Sequence, residues 1–261
     1  MELRVLAVGD VVSENGLAFL QKHLPRLKRE NTIHFTVVNG ENAAGIGLLP
    51  RQAEAILDAG ADVVTLGNHT WSKLQIADYL EHAPCVLRPA NFSARVPGRG
   101  YAVFDGPHGL RIGVMNLIGR VEMDPNVDNP FTVANAILKQ PDADLVLVDF
   151  HAEATSEKLA MGWYLDGKVS AVWGTHTHVP TADTKILPNG TGHVTDLGMT
   201  GPINSVLGIR PEQSIGKFLG SLPERYQAAE GPCKLEGALF VIDTKTRRCT
   251  EVRRIDFSEG N

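Results

Sequence analysis

The chain is poor in cysteine: Cys85, Cys233 and Cys249 are the three among its 261 residues, and no Cys-x-x-Cys pair occurs. An odd and sparse set argues against a disulfide framework and fits a reducing compartment. The chain also lacks a positive excess. Its 25 basic residues stand against 30 acidic ones, for a formal charge of -5. No broad basic surface follows, so tight non-specific binding to long nucleic acid is not expected. A small phosphorylated substrate stays compatible, because bound cations can supply local positive charge. No apolar run approaches the ~20 residues that span a bilayer. Residues 1–10 form a short apolar strand carrying Glu2 and Arg4, without the basic and long apolar regions of a secretory leader. A cytoplasmic protein that makes no membrane contact is predicted. Fixed-period repeats, low-complexity tracts and linkers are absent too, so residues 1–261 are read as a single domain with a sizeable core.

What is present is a succession of short strand-like runs, several separated by helix-compatible segments. Strands are predicted at 3–8, 34–38, 62–66, 85–87, 101–104, 111–117, 145–148 and 171–173, with a closing hairpin of 235–242 and 249–256 around Asp243-Thr244-Lys245. Helices are predicted at 17–28, at 51–59 behind Pro50, and near 132–139. Strands outnumber helices, which two packed sheets with helices outside explain better than one doubly wound sheet.

Five of these runs end in groups able to bind metal: Asp10, Glu41-Asn42, Asn68-His69, His151, and His176-x-His178. Ligand sites in α/β folds gather at the carboxyl ends of strands. Each piece alone has a plainer reading. Asn39-Gly40 can be a turn with Glu41 solvated, Asn68 can cap a helix, and His69 can be a packing residue. An ideal strand would put His176 and His178 on one face, although two surface histidines would look the same. The shared position at successive strand ends is what favours a metal centre. Carboxylate, amide and imidazole ligands without thiolate suit Fe, Mn or a similar ion rather than structural zinc.

Hydrolysis of a phosphate ester calls for such a mixture. Two ions roughly 3.5–4 Å apart can share a hydroxide and clamp the phosphate oxygens. Glu41 is the candidate bridge between them. A histidine beside the ions can protonate the leaving oxygen, and His69 suits that role if Asn68 holds the metal.

Several longer segments carry a resemblance: Gly9-Asp10-Val11-Val12, Asn39-Gly40-Glu41-Asn42-Ala43-Ala44-Gly45, Leu66-Gly67-Asn68-His69-Thr70-Trp71, Arg88-Pro89-Ala90-Asn91, the ten residues from Asp149 to Lys158, the ten from Gly174 to Asp183, and Thr195 to Pro202. With them the chain resembles the calcineurin-like metallophosphoesterases, and within these the YmdB-like branch, over nearly its whole length. The resemblance implies a four-layered αββα sandwich of two mixed sheets flanked by helices. It implies hydrolysis of 2',3'-cyclic nucleotides to 3'-nucleotides at two Fe or Mn ions, and homo-oligomers, dimeric or tetrameric. Carried over, one ion takes Asp10, Glu41, Asn42 and His178; the other takes Glu41, Asn68, His151 and His176; His69 is the proton donor. Two departures from the wider pattern suit the branch: Val12 replaces a histidine, and Glu41 replaces a bridging aspartate. Ser13-Glu14-Asn15-Gly16 departs from the branch's Gly-x-Pro-Gly loop, which leaves the local loop shape open.

Other readings stay open at this stage. The same centre would serve a broad phosphomonoesterase or phosphodiesterase, or a regulatory nucleotide-binding protein. Asn91 and Arg120 fit phosphate or nucleoside binding and loop stabilisation equally well. Thr155 and Ser156 fit substrate contact or helix capping. His193 reads as structural, and the three tryptophans as core or pocket wall.

Overall fold

The computed structural model describes residues 1–139 and 142–259. In chain order the elements are β1 (Glu2–Val8), β2 (Asp10–Val11), α1 (Ser13–Glu30), β3 (Phe35–Asn39), α2 (Pro50–Asp58), β4 (Val63–Thr65), α3 (Ile76–His82), β5 (Val86–Leu87), β6 (Tyr101–Asp105) and β7 (Arg111–Ile118). Then come α4 (Pro130–Leu138), β8 (Leu145–His151), α5 (Thr155–Leu165), β9 (Ala171–Thr175), β10 (Lys185–Ile186), β11 (Gly192–Val194), β12 (Met199–Pro202), α6 (Pro211–Phe218), β13 (Cys233–Asp243) and β14 (Cys249–Ser258).

Two mixed sheets form. One runs β2-β12-β13-β1-β3-β4-β5 with β14 on the other edge of β13; the second runs β10-β11-β9-β8-β7-β6. Strands β1, β3, β4 and β5 are mutually parallel, as are β7, β8 and β9. The layering follows from strand periodicity, since successive side chains point to opposite faces. In β1, Val5 and Ala7 enter the core between the sheets, whereas Leu6 and Val8 face α1 and α2. In β8, Leu145 and Leu147 face the other sheet, while Val146, Val148 and Phe150 pack on Met161 and Leu165 of α5. Leu17, Leu20, Leu24 and Leu27 of α1 recur at helical spacing and close the outer core of the first sheet. Each fully buried aliphatic side chain contributes roughly 1.5–3 kcal/mol. The result is helix, sheet, sheet, helix, the expected four-layered sandwich.

The face between the sheets changes character along the strands. Apolar at their amino ends, it becomes polar at their carboxyl ends: Asn39 of β3, Thr65 of β4, Asn116 of β7, Asp149 and His151 of β8 and Thr175 of β9 are all buried there. Asn116 ties the sheets by donating to the carbonyls of Leu66 and Leu87. This polar layer is the floor beneath the candidate site.

The structure alters several expectations. Helix α1 begins at Ser13, four residues before the expected start at 17, so the Ser13-Glu14-Asn15-Gly16 segment is helix. Gly16 permits this, because a Cβ there would run into the Thr200 carbonyl of β12. Helix α4 starts at Pro130, where the Asn129 side chain accepts from the amides of Phe131 and Thr132. Helices α3 and α6 and the short strands β2, β10, β11 and β12 were not anticipated. The closing hairpin is as expected, with β13 and β14 antiparallel.

Candidate metal centre

All seven expected ligands lie at carboxyl ends of parallel strands or immediately after them, and strands of both sheets contribute. Asp10, Glu41 and His151 have no exposed surface. Burying two carboxylates and an imidazole this deeply is costly unless something compensates their charge.

A first cluster centres on Nε2 of His151. It lies 2.8 Å from Oε1 of Glu41, 2.9 Å from Oδ1 of Asn68 and 3.1 Å from Nδ1 of His176. One ring nitrogen carries at most one hydrogen, so it cannot satisfy all of these neighbours. A cation among them would. Glu41, His151 and His176 offer ligand atoms all within 4.8 Å of one another. Gly67 makes the crowding possible, because a Cβ there would collide with the His151 ring and the Glu41 carboxylate.

A second cluster adjoins it. Nε2 of His178 is 3.6 Å from Oδ1 of Asp10 and 3.2 Å from the Asn42 amide nitrogen, which is 3.4 Å from Oε1 of Glu41. Oδ1 of Asp10 is buried with no hydrogen-bond partner, while Oδ2 accepts from the His176 amide. An orphaned buried carboxylate oxygen beside an imidazole nitrogen is a pair of donors that a cation would satisfy. Turning the Asn42 amide end for end presents its oxygen to the same point. Oε1 of Glu41 touches both clusters.

Each histidine is also held from behind. Nδ1 of His151 lies 2.9 Å from the Thr175 hydroxyl, which donates to Asp149. Nε2 of His176 lies 3.1 Å from Glu153. Nδ1 of His178 lies 3.1 Å from the Leu207 carbonyl. An acceptor on one ring nitrogen leaves the other bare toward the centre, the arrangement that metal-binding histidines require.

The charges are strongly coupled. Burial raises Asp10 and Glu41, but His178 and His151 respectively outweigh it and hold both carboxyls below their usual range. Burial lowers His151, yet Glu41, Asp10 and Asp149 push it up to about 9. Burial and the neighbouring His151 press His176 down to about 3. Burial raises Asp149 to about 6 against its bonds from Thr65 and Thr175.

Most expected residues therefore meet, though not always as anticipated. His176 and His178 do not share a strand face. β9 ends at Thr175, and both histidines adopt left-handed backbone, with φ of 102° and 61°. This twist sends His176 to the first cluster and His178 to the second. Thr177 between them is fixed by Asp196, which accepts from its amide and hydroxyl and is paired at 2.6 Å with the buried Lys158. His69 is half-buried beside the first cluster, its amide donating to Oε2 of Glu41.

Among the residues left open, Asn91 is a loop pin: its amide engages Ile118 and the Asp128 carbonyl. Thr155 and Ser156 do not cap α5, whose N-cap is Ala154, and Glu157 instead accepts from the amides of Arg120 and Val121. His193 is buried against Gly162, consistent with a structural role. Trp173 is core against Phe240, whereas Trp163 is exposed and so is not core. Sequence reasoning missed Asp149 and Glu153 as supports. For Asp149 a signal existed: an acid two residues before His151 in an apolar strand shares its face.

The family described as YmdB-like protein matches residues 6–255. A 2',3'-cyclic-nucleotide 2'-phosphodiesterase of Bacillus subtilis (strain 168) is 44% identical over 256 residues, covering 97% of this chain and 96% of that protein. A solved structure described as a novel phosphatase from Mycoplasma pneumoniae superposes with a TM-score of 0.93 at 34% identity, covering 99% of this chain and 94% of its own. A hypothetical protein from Thermus thermophilus gives 0.90 at 39% identity, over 98% and 100%.

Proposed function

The chain belongs to the YmdB-like family, and from that premise we propose that it is a metal-dependent phosphodiesterase opening 2',3'-cyclic nucleotides to 3'-nucleotides. The observation that carries this reading is the Glu41 carboxylate, whose Oε1 reaches both His151 Nε2 and the Asn42 amide. Glu41 therefore belongs to both donor sets. Asp10, Glu41, Asn42 and His178 would hold one cation, and Glu41, Asn68, His151 and His176 would hold the other. Fe or Mn suits a donor set of carboxylate, amide and imidazole. Such ions, when bound, lower the pKa of water and neutralise phosphate oxygens.

The chain's own residues do the rest. The backed histidines and buried carboxylates would fix where the cations sit, and through them where the phosphate is placed. Water bonds to phosphorus and loses a proton to solvent, the bond from phosphorus to the 2' oxygen breaks, and His69 gives a proton to that oxygen as it departs and is later reprotonated from solvent. Its half-buried place beside Asn68 leaves it reachable by substrate. The whole chain acts as one domain in this reading, supported by a core that both sheets share.

No helix among the described residues is long and apolar enough to cross a membrane, and three free cysteines suit the cytoplasm. Self-association is part of the reading, supported by Phe218, Leu219 and Leu222 in and after α6, which are 84%, 81% and 90% exposed. Light scattering behind size exclusion reads the oligomer directly.

The test is hydrolysis of 2',3'-cyclic AMP by metal-stripped protein re-supplied with Mn(II) or Fe(II), beside an Asp10→Asn/His178→Ala double variant. Metal-dependent formation of 3'-AMP, lost in the variant, is expected. Preference for monoesters would replace this reading with a phosphomonoesterase. Tight nucleotide binding without turnover in fully metallated protein would replace it with a regulatory binder.

A further inference from the structure

A cavity of about 380 Å³ opens beside the second cluster. That is within the size range of small-ligand sites. Its walls come from the carboxyl-terminal side of the first sheet: the start of α1, the loops after β3 and β4, the loop after β12, and residues 224–228. Three wall residues adjoin candidate ligands. Val12 bridges to Asn42, the Ser13 amide donates to the Asn42 carbonyl, and Gly208 follows Leu207, whose carbonyl engages His178. No candidate ligand itself lines this cavity, so its link to the centre is through those three neighbours. A larger cavity of about 520 Å³ lies at the amino ends of β8 and β9, among Leu145, Val169 and Arg247, at the opposite end of those strands from His151 and His176.

The cavity's chemistry is two-sided. Ile46 and Tyr226 line it while remaining 49% and 38% exposed. Both are presented by hydrogen-bonded backbone. Ile46 sits between Gly45 and Gly47, each at positive φ, in a turn closed by the Ala44 amide and the Gly47 carbonyl. Tyr226 is bracketed by the Gln213 side chain, which donates to the Arg225 carbonyl and accepts from the Gln227 amide. Holding the backbone on both sides fixes where the Tyr226 side chain departs from the chain. Lys73 and Arg225 add cationic hydrogen-bond donors to the same walls, and Glu224 adds an acidic acceptor.

We infer that this cavity is the nucleoside subsite of the centre, taking the base and ribose of a nucleotide whose phosphate sits on the two clusters. The inference rests on the phosphodiesterase reading above and adds what that reading leaves open, namely where specificity for a nucleoside is built. A flat ring with apolar faces and polar edges matches a wall of Tyr226 and Ile46 with Lys73 and Arg225 at hand. A phosphate monoester without a base would leave the cavity empty.

The full chain, loaded with Mn(II), is assayed on 2',3'-cyclic AMP and on ethylene phosphate, the same five-membered cyclic diester without a nucleoside. Tyr226→Ala removes the ring, and Ile46→Trp fills the cavity from an exposed loop tip. Both are expected to lower the ratio of kcat/KM on cyclic AMP to that on ethylene phosphate by about tenfold, the size of a lost base-stacking contact. A ratio unaltered in both variants overturns the subsite. If the wild-type chain turns over neither ester, the phosphodiesterase reading fails by itself. The subsite is then decided by calorimetric titration with 3'-AMP and with inorganic phosphate. Weaker 3'-AMP binding in both variants, with phosphate binding retained, sustains it. Equal 3'-AMP affinity in wild type and variants, or none in any, overturns it.

Discussion

The Thr175 hydroxyl stands 2.9 Å from Nδ1 of His151, on the side of the ring away from the ligand cluster. It donates onward to Asp149 at 2.8 Å, so it accepts from the histidine. The relay fixes the proton on Nδ1 and leaves Nε2 for a cation. It exists because β8 and β9 pair with His151 opposite Thr175. Thr175→Val keeps the shape and removes the hydroxyl. Metal affinity is expected to fall about 10–100-fold, as for other outer partners of ligating histidines. Mn(II) titration followed by electron paramagnetic resonance reads it, and an unchanged affinity would remove Thr175 from the site.

Proton competition gives a pH dependence with a definite sign. Despite its burial, His151 is pushed up to about 9 by Glu41, Asp10 and Asp149 in the metal-free chain. Its ring therefore keeps both protons at neutral pH, and a cation must displace the one on Nε2. Apparent metal affinity is expected to rise with pH by about tenfold per unit for that single proton, and to level off above about pH 9. Calorimetry in buffers of different ionisation enthalpy counts the protons released. A flat profile from pH 6 to 8 would show that His151 is neutral before metal arrives.

The turn that carries His176 and His178 is held by a buried ion pair. Both histidines sit at positive φ, a conformation that non-glycine residues rarely adopt. Asp196 compensates by gripping Thr177 through amide and hydroxyl, and Lys158 neutralises Asp196 from α5. Thr177→Val removes one hydroxyl bond and leaves the ion pair. Stability is expected to drop by about 1 kcal/mol, while metal affinity falls measurably as the turn loosens. Lys158→Met is expected to cost about 3–5 kcal/mol, because it strands a buried carboxylate. Thermal unfolding and metal titration on both variants separate support of the fold from support of the site.

The candidate ligands were legible in the sequence, because Asp10, Glu41, Asn42, Asn68, His151, His176 and His178 are chemically distinctive and each follows an apolar run. Their supports were not. Thr175, Glu153 and Leu207 are ordinary residues whose meaning depends on what lies across a sheet or at the end of a loop. Residue spacing also misjudged the histidine pair, since a period-2 rule holds only while the strand continues, and β9 stops at Thr175. The two-sheet architecture was legible from the excess of strands over helices. The early start of α1 was not, because Gly16 there serves a close approach to β12 that only tertiary structure reveals. Tyr226 had no surrounding pattern at all, and its place depends on Gln213 reaching across a loop.

Loss of His69 should be felt in proportion to how much the leaving group needs a proton. The departing 2' oxygen of a cyclic nucleotide is an alkoxide, a poor leaving group unless protonated as the bond breaks. A nitrophenolate spreads its charge over the ring and nitro group and leaves without help. His69→Gln keeps a polar side chain of similar reach but cannot donate a labile proton to the reaction. For 2',3'-cyclic AMP, kcat is expected to fall about 10²–10⁴-fold, the usual worth of a general acid. For bis-p-nitrophenyl phosphate the fall should be far smaller, with metal content unchanged in both cases. An equal loss on the two esters would instead mean that His69 acts through the Glu41 carboxylate its amide touches, holding the centre in shape rather than supplying a proton. Full activity on both would leave the departing oxygen to be protonated by solvent.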